Sequence, residues 1–158
     1  MTKRFGSLVG TPKQATRPLP TSSQYERGSD HVLVRDTITF AAAPIADTCQ
    51  LATLPWETVI SPGATLYNAA LGAGVTISVG DVTFPAALAA ATACNAAGSF
   101  LMTKTVAVGL LFAPLWQMLG YADLATAKAV GAQCELLATI AGGAATGAMS
   151  WQMHGQAR

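Results

Sequence analysis

Polar and apolar residues alternate with a period of two at three places in this 158-residue chain. Thr37, Ile38, Thr39 and Phe40 alternate after Asp36, and Val75, Thr76, Ile77, Ser78 and Val79 do so more cleanly. Near the end, Met149, Trp151 and Met153 alternate with Ser150, Gln152 and His154. Successive side chains of a strand point to opposite faces, so each run predicts a strand with one buried and one wet face. Weaker strand patterns lie over residues 48–54, 58–60, 64–68, 99–111 and 134–141. The punctuation between them is that of a β-protein. Ser61-Pro62-Gly63-Ala64 offers the fixed φ and the glycine of a type II turn, which predicts a reversal of the chain there. Leu54-Pro55-Trp56 ends a strand at a residue with no N–H for a ladder. Leu71-Gly72-Ala73-Gly74 marks another break, and the glycines from Gly142 to Gly147 predict a hairpin between 134–141 and the closing strand.

Two segments depart from this period. The alanine-rich stretch 85–97 begins at a proline suited to a first helical position and is followed by Gly98, which predicts a helix of about three turns. Asp123, as a side-chain cap, and Gly131, as a stop, frame a second helix of about two turns over 123–130. The expected fold class is all-β: a β-sandwich or jelly-roll-like body with one or two short helical excursions.

Charge changes the picture by dividing the chain in two. Nine of the seventeen Asp, Glu, Lys and Arg residues fall in the first 36 positions. Residues 1–25 hold Lys3, Arg4, Lys13 and Arg17 with no acid, together with three prolines and few large apolar side chains. Such a stretch cannot form a core of its own, so residues 1–30 read as an extended N-terminal arm and 31–158 as the folded domain. Ordering about 30 residues costs on the order of 30 to 60 kcal/mol of backbone entropy, which demands contacts beyond the arm itself. Lys3, Arg4, Lys13 and Arg17 are the candidate arm contacts to acidic surfaces.

The body carries little charge and the whole chain is 51% hydrophobic, which predicts a surface largely covered by other subunits. A net charge of +1 offers no clustered basic surface for gripping nucleic acid. The uncharged runs 82–103, 105–122 and 136–153 reach membrane-spanning length, but Ala, Gly, Thr and Ser supply much of each. Only Lys104 separates the first two, which leaves no loop for a second pass, and no span is expected. The first ten residues lack the apolar stretch of a secretory signal, so synthesis in the cytoplasm is expected.

Candidate chemistry is sparse. Cys49, Cys94 and Cys134 have no C-x-x-C spacing and read as three small buried side chains. Gly72-Ala73-Gly74 opens like a dinucleotide fingerprint, but Ile77 stands at the third glycine position and a strand follows where a helix should begin. The five body acids Asp47, Glu57, Asp81, Asp123 and Glu135 are scattered singly, unlike a calcium loop. His31 and His154 sit in no nucleophile motif, and a Cys134–His154 encounter would lack an orienting acid at a telling spacing. No catalytic residue, cofactor or metal is expected. Trp56, Phe112 and Trp116 are either core or exposed aromatic anchors at a subunit contact, whereas Trp151 lies within the alternating strand and belongs to the core.

The stretch from Asp36 to Gln156 resembles the small head-decoration, or capsid cement, proteins of tailed bacteriophages. The residues that carry the resemblance are Asp36-Thr37-Ile38-Thr39-Phe40, Leu51-Ala52-Thr53-Leu54-Pro55, the run from Ala70 to Asp81, and the run from Leu136 to Gly147 that leads into the closing strand. The resemblance implies a sandwich subunit that sits on the outer surface of an assembled shell, often as a homotrimer, and clamps neighbouring copies of the major capsid protein without catalysis. It also implies a virion location, with no membrane partner. The basic, proline-bearing arm and the apolar excursion from Pro85 to Met118 depart from the plainer members of that family. Two other readings fit the same body: a neck, tail or head-fibre anchor component of the virion, and a β-barrel that binds an apolar ligand.

Overall fold

A computed structural model describes residues 3–5 and 31–156, with side chains from Val34 onward. Among the described residues ten strands occur in chain order: β1 (Lys3–Phe5), β2 (His31–Ala43), β3 (Thr48–Leu54), β4 (Val59–Ile60), β5 (Thr65–Asn68), β6 (Thr76–Gly80), β7 (Ala89–Ala93), β8 (Gly98–Leu101), β9 (Cys134–Ala141) and β10 (Ala145–Gln156). Two short helices, α1 (Leu115–Leu119) and α2 (Leu124–Val130), lie between β8 and β9.

The strands form two sheets, β1-β3-β9-β6-β7 and β2-β10-β5-β8, with β4 added beside β10. Four antiparallel pairs are nested in the sequence: β2 with β10, β3 with β9, β5 with β8, and β6 with β7. That nesting is one long hairpin whose tip is the β6–β7 pair. Rolling it up brings β10 against β5 and β9 against β6, which closes the two sheets into the strand order of a jelly roll. The body is therefore the all-β sandwich expected. β1 is the exception to the antiparallel rule, since Lys3–Phe5 run parallel to Thr48–Gln50 along the β3 edge.

The core lies between the sheets. Phe40, Leu51, Leu66, Ile77 and Trp151 are fully buried there, and the Trp151 indole donates to the Leu51 carbonyl at 2.9 Å, which ties one sheet to the other. In β10, Met149, Trp151 and Met153 are buried while Ser150, Gln152 and His154 lie partly exposed on the opposite face, as the alternation predicts. The strands over 48–54 and 134–141 have the expected bounds. The three cysteines are buried, as small apolar side chains would be. The long uncharged runs form strands, turns and short helices, and no helix among the described residues is long and apolar enough to cross a membrane.

Four local expectations give way. The stretch 85–97 is not a helix: after a turn, Ala89–Ala93 form β7 and pair with Thr76, Ile77 and Val79 of β6. Alanine's helix preference amounts to only tenths of a kcal/mol per residue over its competitors, and the ladder offered by β6 outweighs it. The stretch 99–111 is a strand only as far as Leu101. β9 and β10 are not a hairpin, because they belong to different sheets and the chain arches across the sandwich between them. Gly142 permits that arch: its φ is +77°, and a Cβ there would lie 2.1 Å from the Gly74 carbonyl oxygen. Finally, the Ser61–Ala64 turn closes with an Ala64 N–H to Ser61 carbonyl bond of 3.0 Å, but Gly63 keeps a negative φ, so the turn is not type II. It reverses nothing, since β4 and β5 both run antiparallel to β10 in succession.

A candidate interaction surface at one end of the sandwich

The nesting of the strands sends alternate connections to opposite ends. Connections 44–47, 69–75, 94–97 and 142–144 gather at one end, which we call the glycine end, and 55–58, 81–88 and 102–133 gather at the other, the loop end. Backbone bonds within each set agree with this division. At the glycine end Leu71 N–H donates to the Cys94 carbonyl and Thr146 N–H to the Leu71 carbonyl. At the loop end Leu115 N–H donates to the Thr58 carbonyl and Thr105 N–H to the Leu88 carbonyl.

The loop end is built around Trp56, Asp81 and Tyr121. Pro55 ends β3, and the following Trp56 turns inward, 1% exposed, with its indole N–H donating to the Gly131 carbonyl at 2.8 Å. Gly80 ends β6 where a Cβ would stand 1.9 Å from the Phe84 carbonyl oxygen, so the 81–84 turn can fold back tightly only on a glycine. Asp81 closes that turn by accepting the Phe84 N–H at 2.6 Å and the Thr83 N–H at 3.1 Å, and its other oxygen accepts the Tyr121 hydroxyl. The Tyr121 ring stands edge-on to Trp56 and Phe84, at centroid distances of 5.3 and 5.0 Å. Burial, and then the Asp81 carboxylate, push the Tyr121 hydroxyl up to about 12. Burial, with the Asp81 and Glu135 charges, also raises the Cys134 thiol.

On this scaffold the long 102–133 connection carries an apolar surface. Asp123 caps α2 by accepting the Thr126 N–H at 2.7 Å, and the same backbone bonding lowers its carboxyl pKa. The second predicted helix is thus present, capped as expected. No charged residue stands between Lys104 and Asp123. A 3-10 turn at Val108–Leu110 buries none of its residues. Val108 is 85% exposed and Phe112 72%. Of the nine exposed large apolar side chains among the described residues, six lie in the loop-end connections: Val82, Phe84, Val108, Leu110, Phe112 and Val130. A concentration of exposed apolar groups makes this end the candidate interaction surface. A cleft of about 410 Å³ opens between two of them, Val82 and Val130, lined also by Thr53, Trp56, Gln133 and Glu135.

The expected site residues are distributed as follows. Phe112 is on this surface, Trp116 is half-buried against the core, and Trp56 is core, which removes it as an exposed anchor. Lys3 and Arg4 stand on β1 beside the β3 edge, with side chains outside the described set, and Lys13 and Arg17 lie outside the described residues. Cys134 and His154 are not brought together: Cys134 pairs with Leu54 in one sheet and His154 with Val32 in the other. The sequence reading missed Val82, Val108 and Leu110, whose signal was the charge-free run without alternation on either side of Lys104. Among the described residues no group of three or more His, Cys, Asp or Glu side chains is placed to hold a metal ion. No family model, curated protein or solved structure matches the chain.

Proposed function

We propose that this chain is a non-enzymatic structural protein of a tailed-bacteriophage virion: a capsid decoration, or cement, protein that binds the outer surface of the assembled shell. The loop end meets the shell or a sister subunit of a homotrimer, and the arm, residues 1–30, runs across neighbouring major capsid subunits as a strap. The observation that carries this reading is the concentration of uncharged, exposed apolar side chains on one end of a jelly roll. Jelly rolls occur in viral shell proteins, though they also occur in lectins and cupins, so the fold adds analogy and the exposed surface adds the physical reason. The sequence resemblance points the same way.

The mechanism is added interface. A protein that binds the assembled shell better than its free subunits shifts assembly toward the shell by mass action, and a body and arm joined by one chain bind with an avidity that neither has alone. Lys3, Arg4, Lys13 and Arg17 contact acidic shell patches. Single surface ion pairs contribute about 0 to 1 kcal/mol, so deletion of the arm outweighs any one charge reversal. The test is cosedimentation of the full chain with assembled shells of its cognate major capsid protein. Saturable binding at a fixed ratio to the shell subunit is expected, and no binding to intact shells would overturn the reading. A ratio of six or twelve copies per particle would move the protein to the neck or tail.

A further inference from the structure

We propose that the outer face of the sheet β2-β10-β5-β8 binds an acidic saccharide, in a groove between Arg35 and Tyr67. The groove has a volume of about 640 Å³, within the range of about 300 to 1,000 Å³ typical of small-ligand pockets, and three neighbouring strands line it. The ladder register assembles it. Ser150 of β10 pairs with Thr37 of β2 on one side and with Tyr67 of β5 on the other, and Gln152 pairs with Arg35. These five residues alternate along their strands with the buried Asp36, Leu66 and Trp151, so they point out of the sandwich.

The fold leaves the polar groups of this face available. The Arg35 guanidinium and the hydroxyls of Thr37, Tyr67 and Ser150 make no hydrogen bond or ion pair with the described residues. The Gln152 amide nitrogen donates to His154 Nε2 at 2.7 Å, which fixes the amide and leaves its oxygen as an acceptor. Asp36 is the one acid in the four strands of this sheet. It borders the groove, but it is 5% exposed and pairs with the buried Trp151, on the inward side of the strand. Arg35 therefore gives the groove a positive charge with no exposed acid from these strands beside it.

This chemistry selects the ligand. Tyr67 is 47% exposed, and its ring is an apolar surface set among hydroxyl and amide groups. A sugar ring is built to match, with an apolar C–H side for the aromatic ring and a rim of hydroxyls for Thr37, Ser150 and Gln152. A carboxylate on the sugar answers the Arg35 fork, which accommodates it through two parallel hydrogen bonds. One cation is too few for nucleic acid, whose affinity grows with the number of phosphates neutralised. An extended peptide gains its main-chain bonds at a sheet edge, whereas this groove lies on a face.

The experiment uses the full chain free in solution, with no shell, so its failure leaves the decoration reading standing. Saturation-transfer NMR follows transfer from the protein to trigalacturonic acid and sialyllactose, and to their neutral counterparts galactotriose and lactose. Transfer to an acidic sugar at least fivefold above that to its neutral counterpart is expected. It should fall at least fivefold in Tyr67→Ala and in Arg35→Gln, both at exposed positions, and persist in a Val108→Asp/Phe112→Asp variant of the loop end. No transfer to either acidic sugar, or equal transfer to the neutral ones, would overturn the proposal, and that comparison needs only the wild type. Undiminished transfer to a folded Arg35→Gln variant, or loss in the loop-end variant alone, would contradict the assignment to this groove.

Discussion

The two ends of this jelly roll solve opposite problems. At the glycine end, short connections pack backbone against backbone: Gly142 approaches the Gly74 carbonyl, and Leu71 bonds to Cys94 in the 94–97 connection and to Thr146 at the start of β10. Among the described residues, Ile45 is the one large apolar side chain exposed in those connections. At the loop end a single connection of 32 residues, 102–133, buries Leu115, Met118 and Leu119 beneath itself while leaving Val108 and Phe112 in solvent. The contrast shows where the fold invests its order. The glycine end fixes how the sheets are arranged, and the loop end uses that rigidity to hold out an apolar surface with no role in the fold.

If that division is right, substitutions at the two ends should fail differently. The largest effect belongs to Gly142→Val, which meets the Gly74 carbonyl and demands a positive φ from a β-branched residue. A loss of about 4 kcal/mol or more, read as failure to fold or a collapsed denaturant midpoint, is expected. Trp56→Ala empties a fully buried indole site under the loop end and should cost about 3 to 5 kcal/mol by the same measurement.

Tyr121→Phe is milder, at about 1 to 3 kcal/mol, because it leaves one Asp81 oxygen without its hydroxyl donor. It also carries a pH signature. The Tyr121 hydroxyl ionises at about 12 in the folded protein and at an ordinary value near 10 when unfolded. Its contribution is therefore intact below pH 10 and is lost as pH rises from 10 to about 12, where the unfolded chain releases its proton first. The variant should lose that part of the alkaline slope in urea melts, and an unchanged slope would show that the hydroxyl is not held as described. Smaller still, Thr58→Val should stabilise by about 1 kcal/mol, since the buried Thr58 hydroxyl has no partner among the described residues.

Much of this architecture was legible in the chain. The alternation at 75–79 and 149–154 placed β6 and the inner face of β10, and Asp123 with Gly131 framed α2, because each signal is local and physical. What was not legible is which strands pair. Gly142-Gly143 looks the same in a tight hairpin and in an arch between sheets, and only the partners of β9, namely β3 and β6, decide between them. The alanine stretch 85–97 was misread for a related reason: propensity is local, whereas the β6 edge that recruits Ala89–Ala93 is not. The exposed apolar surface of the loop end was half visible. Phe112 stood out as an aromatic beside Pro114, but the same pattern suggested Trp56, whose indole reaches the Gly131 carbonyl 75 residues away and so belongs to the core.

The claim on which the account depends is that the loop end is for shell contact and the glycine end is for folding. The most direct measurement compares binding of the wild type and of a Val108→Asp/Phe112→Asp variant to assembled shells, with thermal unfolding of both in parallel. Both positions are highly exposed, so the melting temperature should stay within a few degrees while shell binding weakens at least tenfold. Undiminished binding by a normally folded variant would contradict the account.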